Sequence, residues 1–154
     1  MAQLQIVKEG DPILRKVSRP VEAITPRILT LLDDMTETMR RAGGCGLAAV
    51  QVGVLRRVVV IEVEEGTVLE LINPKIVAYS GHQCEAEGCL SLPGKWGKTN
   101  RPKAVIVRAL NRHGEEVEYR GQDLLARAFC HEIDHLDGKL FTDVVVGDVE
   151  TEEQ

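Results

Sequence analysis

Two histidines four residues apart, with a glutamate directly after the first, are the residues of this 154-residue chain best suited to chemistry. They belong to the segment His131-Glu132-Ile133-Asp134-His135. On a helix, residues i and i+4 project from one face, so both imidazoles can bind the same metal ion. Glu132 would then lie close enough to reach a water on that metal. The segment predicts a catalytic metal site rather than an exposed polar helix face.

A third metal ligand has to come from elsewhere, because catalytic zinc-type sites hold three protein ligands and leave one position for water. No histidine follows His135, and the glutamates of the C-terminal tail are poor candidates. Cys89 is the better candidate, since Gly88 before it permits close approach of the backbone and its thiolate is a metal donor. Pro93 and Gly94 are expected to stop regular structure after it.

A closed structural zinc site is an alternative interpretation. Cys84 and Cys89 with the two histidines would supply four ligands, but a closed site needs no acid between its histidines. Cys130 precedes His131 by about 100° around the helix, so we expect it to point away from the metal. The open site that uses Cys89 also explains Glu132, and it is the interpretation we favour.

A third unusual segment, residues 44–51, has the sequence GCGLAAVQ. Its small residues allow a ligand or another backbone to come close. Gln51 is an amide among apolar neighbours, and a buried amide needs hydrogen-bond partners. The segment lacks the Gly-Lys-Ser/Thr ending of a phosphate loop. Alone it is compatible with either a structural turn or a binding loop.

Two helices are predicted to position these segments. Thr25 can cap the first helix and Pro26 suits its first position, and an apolar stripe from Ile28 to Met39 follows. Glycines at 43 and 44 end that helix, directly before the 44–51 segment. The second helix is predicted from Asp123 to about Asp137 and contains the histidine pair.

The remaining elements are predicted to be strands at 57–63, 67–72, 75–79, 104–110 and 115–119, with the last two forming a hairpin. The fold class is therefore α+β, with antiparallel sheets packed around a central metal-binding helix that carries the His-Glu-x-x-His motif. With no internal repeat or linker, we expect a single catalytic domain over residues 1–154. Residues 148–154 are expected to be a frayed tail.

Composition excludes several classes of function. The net charge of −5 and an aromatic content of 3% argue against a nucleic-acid binder, which is usually basic or rich in stacking side chains. No apolar run is long enough for a membrane helix, and the N-terminus lacks a signal peptide, so we expect a cytoplasmic protein. In that reducing compartment the four cysteines are expected as thiols or metal ligands.

Together the three segments resemble the peptide deformylase family. Its motifs are a Gly-x-Gly-Leu-Ala-Ala-x-Gln loop, a Glu-Gly-Cys-Leu-Ser segment and a His-Glu-x-Asp-His helix, found here at 44–51, 87–91 and 131–135. The resemblance extends to residues 10–14 and 138–141, and so covers nearly the whole chain. It implies a metal-dependent hydrolase of protein biosynthesis that removes the formyl group from the N-terminal formyl-methionine of nascent chains and releases formate.

The resemblance also implies roles for individual residues. Cys89, His131 and His135 would bind the metal, and Glu132 would be the general acid and base. Gln51 and the backbone N–H of Leu90 would form the oxyanion hole. The residues expected to meet the peptide substrate are Gly44, Cys45, Gly46, Gly88 and Arg127.

The implied cofactor is one Fe²⁺ ion per chain, with Zn²⁺, Ni²⁺ or Co²⁺ as substitutes. Some bacterial members of the family end in a basic helix that tethers them to the ribosome, whereas residues 148–154 here are acidic. We therefore expect at most transient ribosome proximity.

Arg101 is expected to pair with Glu87, and Trp96 to border the peptide groove. The alternatives left open are another metal amidohydrolase or peptidase, and a non-catalytic zinc module that binds partners.

Overall fold

The computed structural model describes residues 2–152, in which two α-helices and eight β-strands form. The helices are α1 (Pro26–Arg41) and α2 (Asp123–Leu136). The strands are β1 (Gly46–Ala48), β2 (Val58–Ile61), β3 (Leu69–Ser80), β4 (Gln83–Cys89), β5 (Leu92–Arg101), β6 (Ala104–Leu110), β7 (Glu116–Gln122) and β8 (Glu150–Thr151). Short 3-10 helices cover Pro12–Arg15, Ala49–Val52 and Phe141–Asp143.

The strands form two antiparallel sheets. The larger sheet has the order β1-β2-β3-β6-β7, and the smaller has the order β4-β5-β8. Helix α2 packs against β1, β2, β6 and β7 of the larger sheet and also contacts β5 of the smaller one. The predicted α+β class is therefore confirmed, and α2 lies where the two sheets meet.

Helix α1 forms as its sequence predicts. The Thr25 hydroxyl accepts a hydrogen bond from the Ile28 N–H, and Pro26 occupies the first helical position. Leu32, Met35 and Met39 are fully buried against the larger sheet. Removing side chains of this size from water stabilises the fold by about 1.5–3 kcal/mol each, which fixes α1 and the glycine segment that follows it.

Helix α2 ends at Leu136 because Gly138 turns the chain sharply. Gly138 has φ +75°, and a Cβ there would lie 2.5 Å from the carbonyl oxygen of Arg15. Only glycine fits both the left-handed backbone and the close approach. The buried face of α2 includes Phe129 and Ile133, which lie in the main core with residues of the larger sheet.

Strand β3 continues through Asn73 and Pro74, where the sequence predicts an interruption. Asn73 has φ +52°, and the pairing with β6 shifts register between Ile72 and Lys75. The Asn73 amide also bonds both the N–H and the C=O of Val21. The interruption is therefore a bulge within one strand, which still pairs on both sides of it.

The β4–β5 hairpin was not predicted, and the expectation that Pro93 and Gly94 stop regular structure was wrong. Both residues lie inside β5. The alternate buried positions of this strand are occupied by Gly97, Thr99 and Arg101. Since none of these is apolar, the usual alternation of a half-buried strand is absent from the sequence.

The C-terminal segment differs from the frayed tail expected for residues 148–154. Glu150 and Thr151 form β8, which pairs with Trp96 and Lys95 of β5. Backbone pairing at the sheet edge orders these residues while both side chains stay in solvent. The last two residues of the expected tail lie outside the described residues.

Within residues 2–152, no helix is both long enough and apolar enough to cross a membrane.

Candidate active site

The Cys89 thiol and the two histidines of α2 meet at one point. Cys89 Sγ lies 3.3 Å from His135 Nε2, and His135 Nε2 lies 3.2 Å from His131 Nε2. All three donor atoms are within 4.8 Å of one another. A tetrahedral ion with normal bond lengths would place its ligands about 3.3 Å (N to N) and about 3.6 Å (S to N) apart. The donor types and their spacing therefore fit a single transition-metal ion.

The other cysteines do not join this cluster. Cys84 is exposed on β4, and Cys130 is buried on α2 near Arg101 and Asp134. Burial raises the pKa of the Cys130 thiol to about 11, so it stays protonated. Among the described residues, the group able to hold a metal contains Cys89 alone of the four cysteines. This group has the three donors of the open interpretation and lacks the fourth donor of the closed alternative.

The buried ion pair of Glu87 and Arg101 orients His131 through the ring nitrogen Nδ1, which faces away from the cluster of donor atoms. Glu87 Oε1 accepts a hydrogen bond from His131 Nδ1 at 2.7 Å and from Arg101 Nη2 at 2.8 Å. The Thr99 hydroxyl also donates to Glu87, and Arg101 reaches Asp134 of α2 at 2.6 Å. The expected Arg101–Glu87 pair is thus confirmed. It fixes the imidazole so that Nε2 faces the other donor atoms.

The pKa values of the two histidines move in opposite directions. Burial lowers the pKa of His131, but the charge of Glu132 and the hydrogen bonds with Cys89 and Glu87 outweigh burial, so the pKa of His131 is well above the usual value. Burial and the neighbouring His131 lower the pKa of His135. His135 Nδ1 is buried and has no hydrogen-bond partner among the described residues.

Glu132 lies against the glycine segment. A Cβ added to Gly46 would be 2.6 Å from Glu132 Oε2, so only glycine leaves room for this carboxylate. Its other oxygen, Oε1, is buried and accepts no hydrogen bond from residues 2–152. Burial raises the pKa of Glu132 to about 7, although His131 opposes the rise. A carboxyl group with such a pKa can both take and give a proton near neutral pH.

Gln51 is held by both ends of its amide. Its Oε1 accepts from the Ala48 N–H at 2.9 Å, and its Nε2 donates to Ser91 Oγ at 3.1 Å and to Cys89 Sγ at 3.5 Å. Gln51 and Ser91 are almost completely buried. The Gln51 amide therefore lies directly beside the metal-ligand cluster in a fixed orientation. Sequence reasoning missed Ser91, although it lies in the motif that contains Cys89.

A backbone strap holds the segments of Gln51 and Cys89 together. The Val7 N–H donates to the Gln51 carbonyl and the Glu9 N–H to the Ser91 carbonyl, both at 2.7 Å. Residues 7–9 thus connect two loops that are far apart in sequence. No motif indicates this strap, because its hydrogen bonds use only backbone groups.

A cavity of about 440 Å³ opens onto the cluster. All the residues predicted to bind substrate line it, as do Gln51, Glu132, Cys89 and His131. A Cβ on Gly44 would be 2.6 Å from Leu90 Cδ1, so this glycine also keeps its loop close to the Cys89 segment. Trp96, expected at the groove, is 40% exposed on β5 and does not line the cavity. Residues of all three sequence segments therefore line the same cavity.

Comparison with known proteins agrees with this geometry. The family model described as polypeptide deformylase matches residues 3–150. The chain belongs to the polypeptide deformylase family.

Similar relatives cover almost the whole chain. A peptide deformylase of Acetivibrio thermocellus is 58% identical, over 99% of this chain and 89% of that protein. A peptide deformylase of Alkaliphilus metalliredigens is 60% identical, over 95% of this chain and 99% of that protein. The crystal structure of peptide deformylase from Thermotoga maritima matches with a TM-score of 0.92 at 36% identity, over 96% of this chain and 100% of that one.

The expected family and activity are confirmed. As a polypeptide deformylase, the protein is a hydrolase that removes the formyl group from the N-terminus of newly synthesised proteins in a metal-dependent reaction. Its substrates are N-formylmethionyl peptides of nascent chains.

Proposed function

We propose that Cys89, His131 and His135 hold the catalytic metal of this deformylase, and that the metal is Fe²⁺. The convergence of one sulfur and two imidazole nitrogens within 4.8 Å is the observation that carries the proposal. When bound, the metal supplies Lewis acidity that lowers the pKa of a water towards neutrality. A thiolate with two imidazoles suits iron as well as zinc, so Zn²⁺, Ni²⁺ and Co²⁺ are the expected substitutes.

Glu132 is the proposed general base and acid. It is one residue from His131, it is almost completely buried, and Oε1 has no partner within the described chain. The attacking water can give its proton to that oxygen. Glu132 then delivers the proton to the amine nitrogen of methionine as the C–N bond breaks. Contact with Gly46 keeps the carboxylate aimed into the cavity during both transfers.

Gln51 and the backbone N–H of Leu90 form the proposed oxyanion hole. Negative charge grows on the formyl oxygen as the water attacks, and fixed donors stabilise it there more than in the ground state. Ala48 and Ser91 orient the Gln51 amide before substrate arrives. Losing one such donor typically raises the barrier by about 3–4 kcal/mol.

The peptide is proposed to lie along the glycine segment and the end of β4. Gly44, Cys45, Gly46 and Gly88 line the cavity, where the lack of bulky side chains leaves their backbones accessible to an extended chain. Arg127, one turn before His131 on α2, lies in the wall of the same cavity. These five residues are the proposed substrate contacts.

We further propose that residues 1–154 act as one catalytic domain in the cytoplasm, where nascent chains emerge. The acidic residues at 148, 150 and 152 cannot make a cationic contact with ribosomal RNA. Residues 148–152 are therefore not proposed to contribute to any contact with the ribosome.

The experiment that tests the proposal measures formate release from formyl-Met-Ala-Ser, with the bound metal identified in the same sample. We expect rapid release from this peptide and no cleavage of internal peptide bonds. Anaerobic purification should give more iron and more activity than aerobic purification, because an iron-bound thiolate is sensitive to oxygen. Equal iron and activity in both preparations would rule out Fe²⁺ as the native metal.

A further inference from the structure

Arg127 is a half-buried cation in the cavity wall whose charge no carboxylate neutralises. No carboxylate oxygen of residues 2–152 lies within 4.0 Å of its guanidinium. Two other partly enclosed arginines differ in this respect: Arg101 contacts Glu87 and Asp134, and Arg112 contacts two carboxylates as well. The other cation of this cavity wall, Lys95, is paired with Glu9. Withdrawing a charge from water without a partner is costly, so Arg127 would be stabilised by an anion that enters the cavity.

The guanidinium of Arg127 is fixed at one end. Its Nη1 donates to Gln83 Oε1 at 2.7 Å. Gln83 is itself 8% exposed, and its Nε2 donates to the carbonyls of Pro102 at 2.8 Å and Asp123 at 3.0 Å. Because both amide hydrogens are used, the amide cannot turn over without losing these bonds. Gln83, which is itself held in place by these two bonds, therefore orients the guanidinium of Arg127.

Arg127 keeps donors for a ligand. A guanidinium has five N–H donors in a rigid fork, and only the bond to Gln83 is formed within the described part of the chain. The two carboxylates that line the same cavity do not compete for it. Glu87 is bound by Arg101 and His131, and Glu132 is beyond salt-bridge distance from Arg127.

The charge of Arg127 acts on the substrate side of the cavity. Burial and the negative charge of Glu132 raise the pKa of the Cys45 thiol, whereas the positive charges of His131 and, to a smaller extent, Arg127 work against that rise. Cys45 belongs to the glycine segment along which the peptide is proposed to lie. An anionic group on a bound peptide would therefore be within the same electrostatic field.

We propose that Arg127 makes this deformylase prefer formyl-methionyl peptides with a carboxylate side chain at one of the two residues after methionine. The proposal rests on the substrate position described above. Formylation removes the positive charge of the peptide N-terminus, so side chains decide the charge that the substrate brings to the cavity. A carboxylate is the ligand that matches the guanidinium fork. A partly exposed pair of this kind corresponds to an increase of about fivefold in kcat/KM.

The test compares peptides that differ only in charge. The pairs are formyl-Met-Glu-Ser with formyl-Met-Gln-Ser and formyl-Met-Ala-Glu with formyl-Met-Ala-Gln, all with an amidated C-terminus so that the side chain carries the only carboxylate. For the metal-loaded wild-type enzyme we expect kcat/KM to favour the glutamate peptide by about fivefold in at least one pair. The ratio should fall towards one as salt is added, because salt screens a partly exposed ion pair.

Two variants locate the effect. Arg127→Met should bring the ratio close to one, whatever its effect on the rate for both peptides, and Arg127→Lys should restore part of the ratio. Arg120→Met removes the same charge from an exposed position on β7, away from the cavity, and should keep the wild-type ratio.

Three results would overturn the preference: a wild-type ratio of one in both pairs, a ratio that does not change with salt, or a ratio that survives in Arg127→Met. In each case the neutral peptides would still release formate, which separates this failure from failure of the proposed function. If no formyl peptide released formate, the proposed site would be wrong and the preference with it.

Discussion

The ion pair behind His131 should contribute strongly to both stability and metal binding. The side chains of Arg101 and Glu87 are 5% and 9% exposed and share two hydrogen bonds. Removing one partner of a buried pair leaves the other charge without compensation and typically costs about 3–5 kcal/mol. We therefore expect Arg101→Met to lower the free energy of unfolding of the metal-free protein by about that amount.

The pKa of Glu87 reports the combined effect of His131 and Arg101, of which His131 contributes more. Burial alone would raise it, but hydrogen bonds from His131 and Arg101 outweigh burial and lower the pKa to about 2. Relative to the ordinary 4.5, this is equivalent to about 3 kcal/mol. Since the folded-state pKa is depressed, the stabilisation is complete above about pH 4.5 and is lost as the pH falls towards 2. Because His131 still bonds Glu87 in the variant, Arg101→Met should flatten the acid limb of the stability profile in part.

Urea unfolding between pH 3 and 7, with metal removed, measures this directly. The matched control is Arg108→Met, because the Arg108–Glu118 pair is exposed and such pairs contribute at most about 1 kcal/mol. Arg101→Met should also weaken metal binding by about 10–100-fold, since Glu87 orients the ligand His131. If Arg101→Met were as stable as Arg108→Met and bound metal normally, the assigned role of the buried pair would be refuted.

Three other substitutions test the site. Glu132→Ala should keep the metal but nearly abolish formate release, and turnover by the metal-loaded variant would exclude Glu132 as the base. Gly46→Ala should displace the Glu132 carboxylate, since the new Cβ would lie 2.6 Å from Oε2; we expect a loss of about 1–3 kcal/mol in stability and a lower kcat, with metal content unchanged. Normal kcat in Gly46→Ala would show that the contact is unimportant. Ser91→Ala should cost about 1–3 kcal/mol, because it removes a partner of the buried Gln51 amide, and should lower kcat more than it raises KM; unfolding and steady-state kinetics check both.

Much of the fold follows from local sequence patterns. Helix α1 was predicted because Thr25, Pro26 and a regular apolar stripe act together. The β6–β7 hairpin was predicted because the polar turn at 111–114 separates its two strands. The β4–β5 hairpin was not predicted, because Thr99 and Arg101 fill positions where a strand normally carries apolar residues. Those positions are polar because Thr99 and Arg101 bond Glu87. The strand therefore lacks the alternation of apolar residues by which it could have been predicted.

In the site, too, some features could be predicted from local sequence and others could not. Residue types and spacing identified Cys89, His131, His135, Glu132 and Gln51, since each lies in a short motif whose chemistry is recognisable. The contacts that orient them depend on tertiary structure and leave no local signal. The Glu132 contact with Gly46, the Ser91 bond to Gln51 and the anchoring of Arg127 by Gln83 each join residues that are far apart in sequence.

Metal content and formate release in two cysteine variants test the central claim most directly. With Cys89, His131 and His135 as ligands, Cys89→Ala should lose the metal and the hydrolysis of formyl-Met-Ala-Ser together. Cys84→Ser changes an exposed thiol of the same strand outside the cluster, and it should retain one metal ion per chain and wild-type activity. Full metal occupancy and turnover in Cys89→Ala, or loss of metal in Cys84→Ser, would contradict the assigned site.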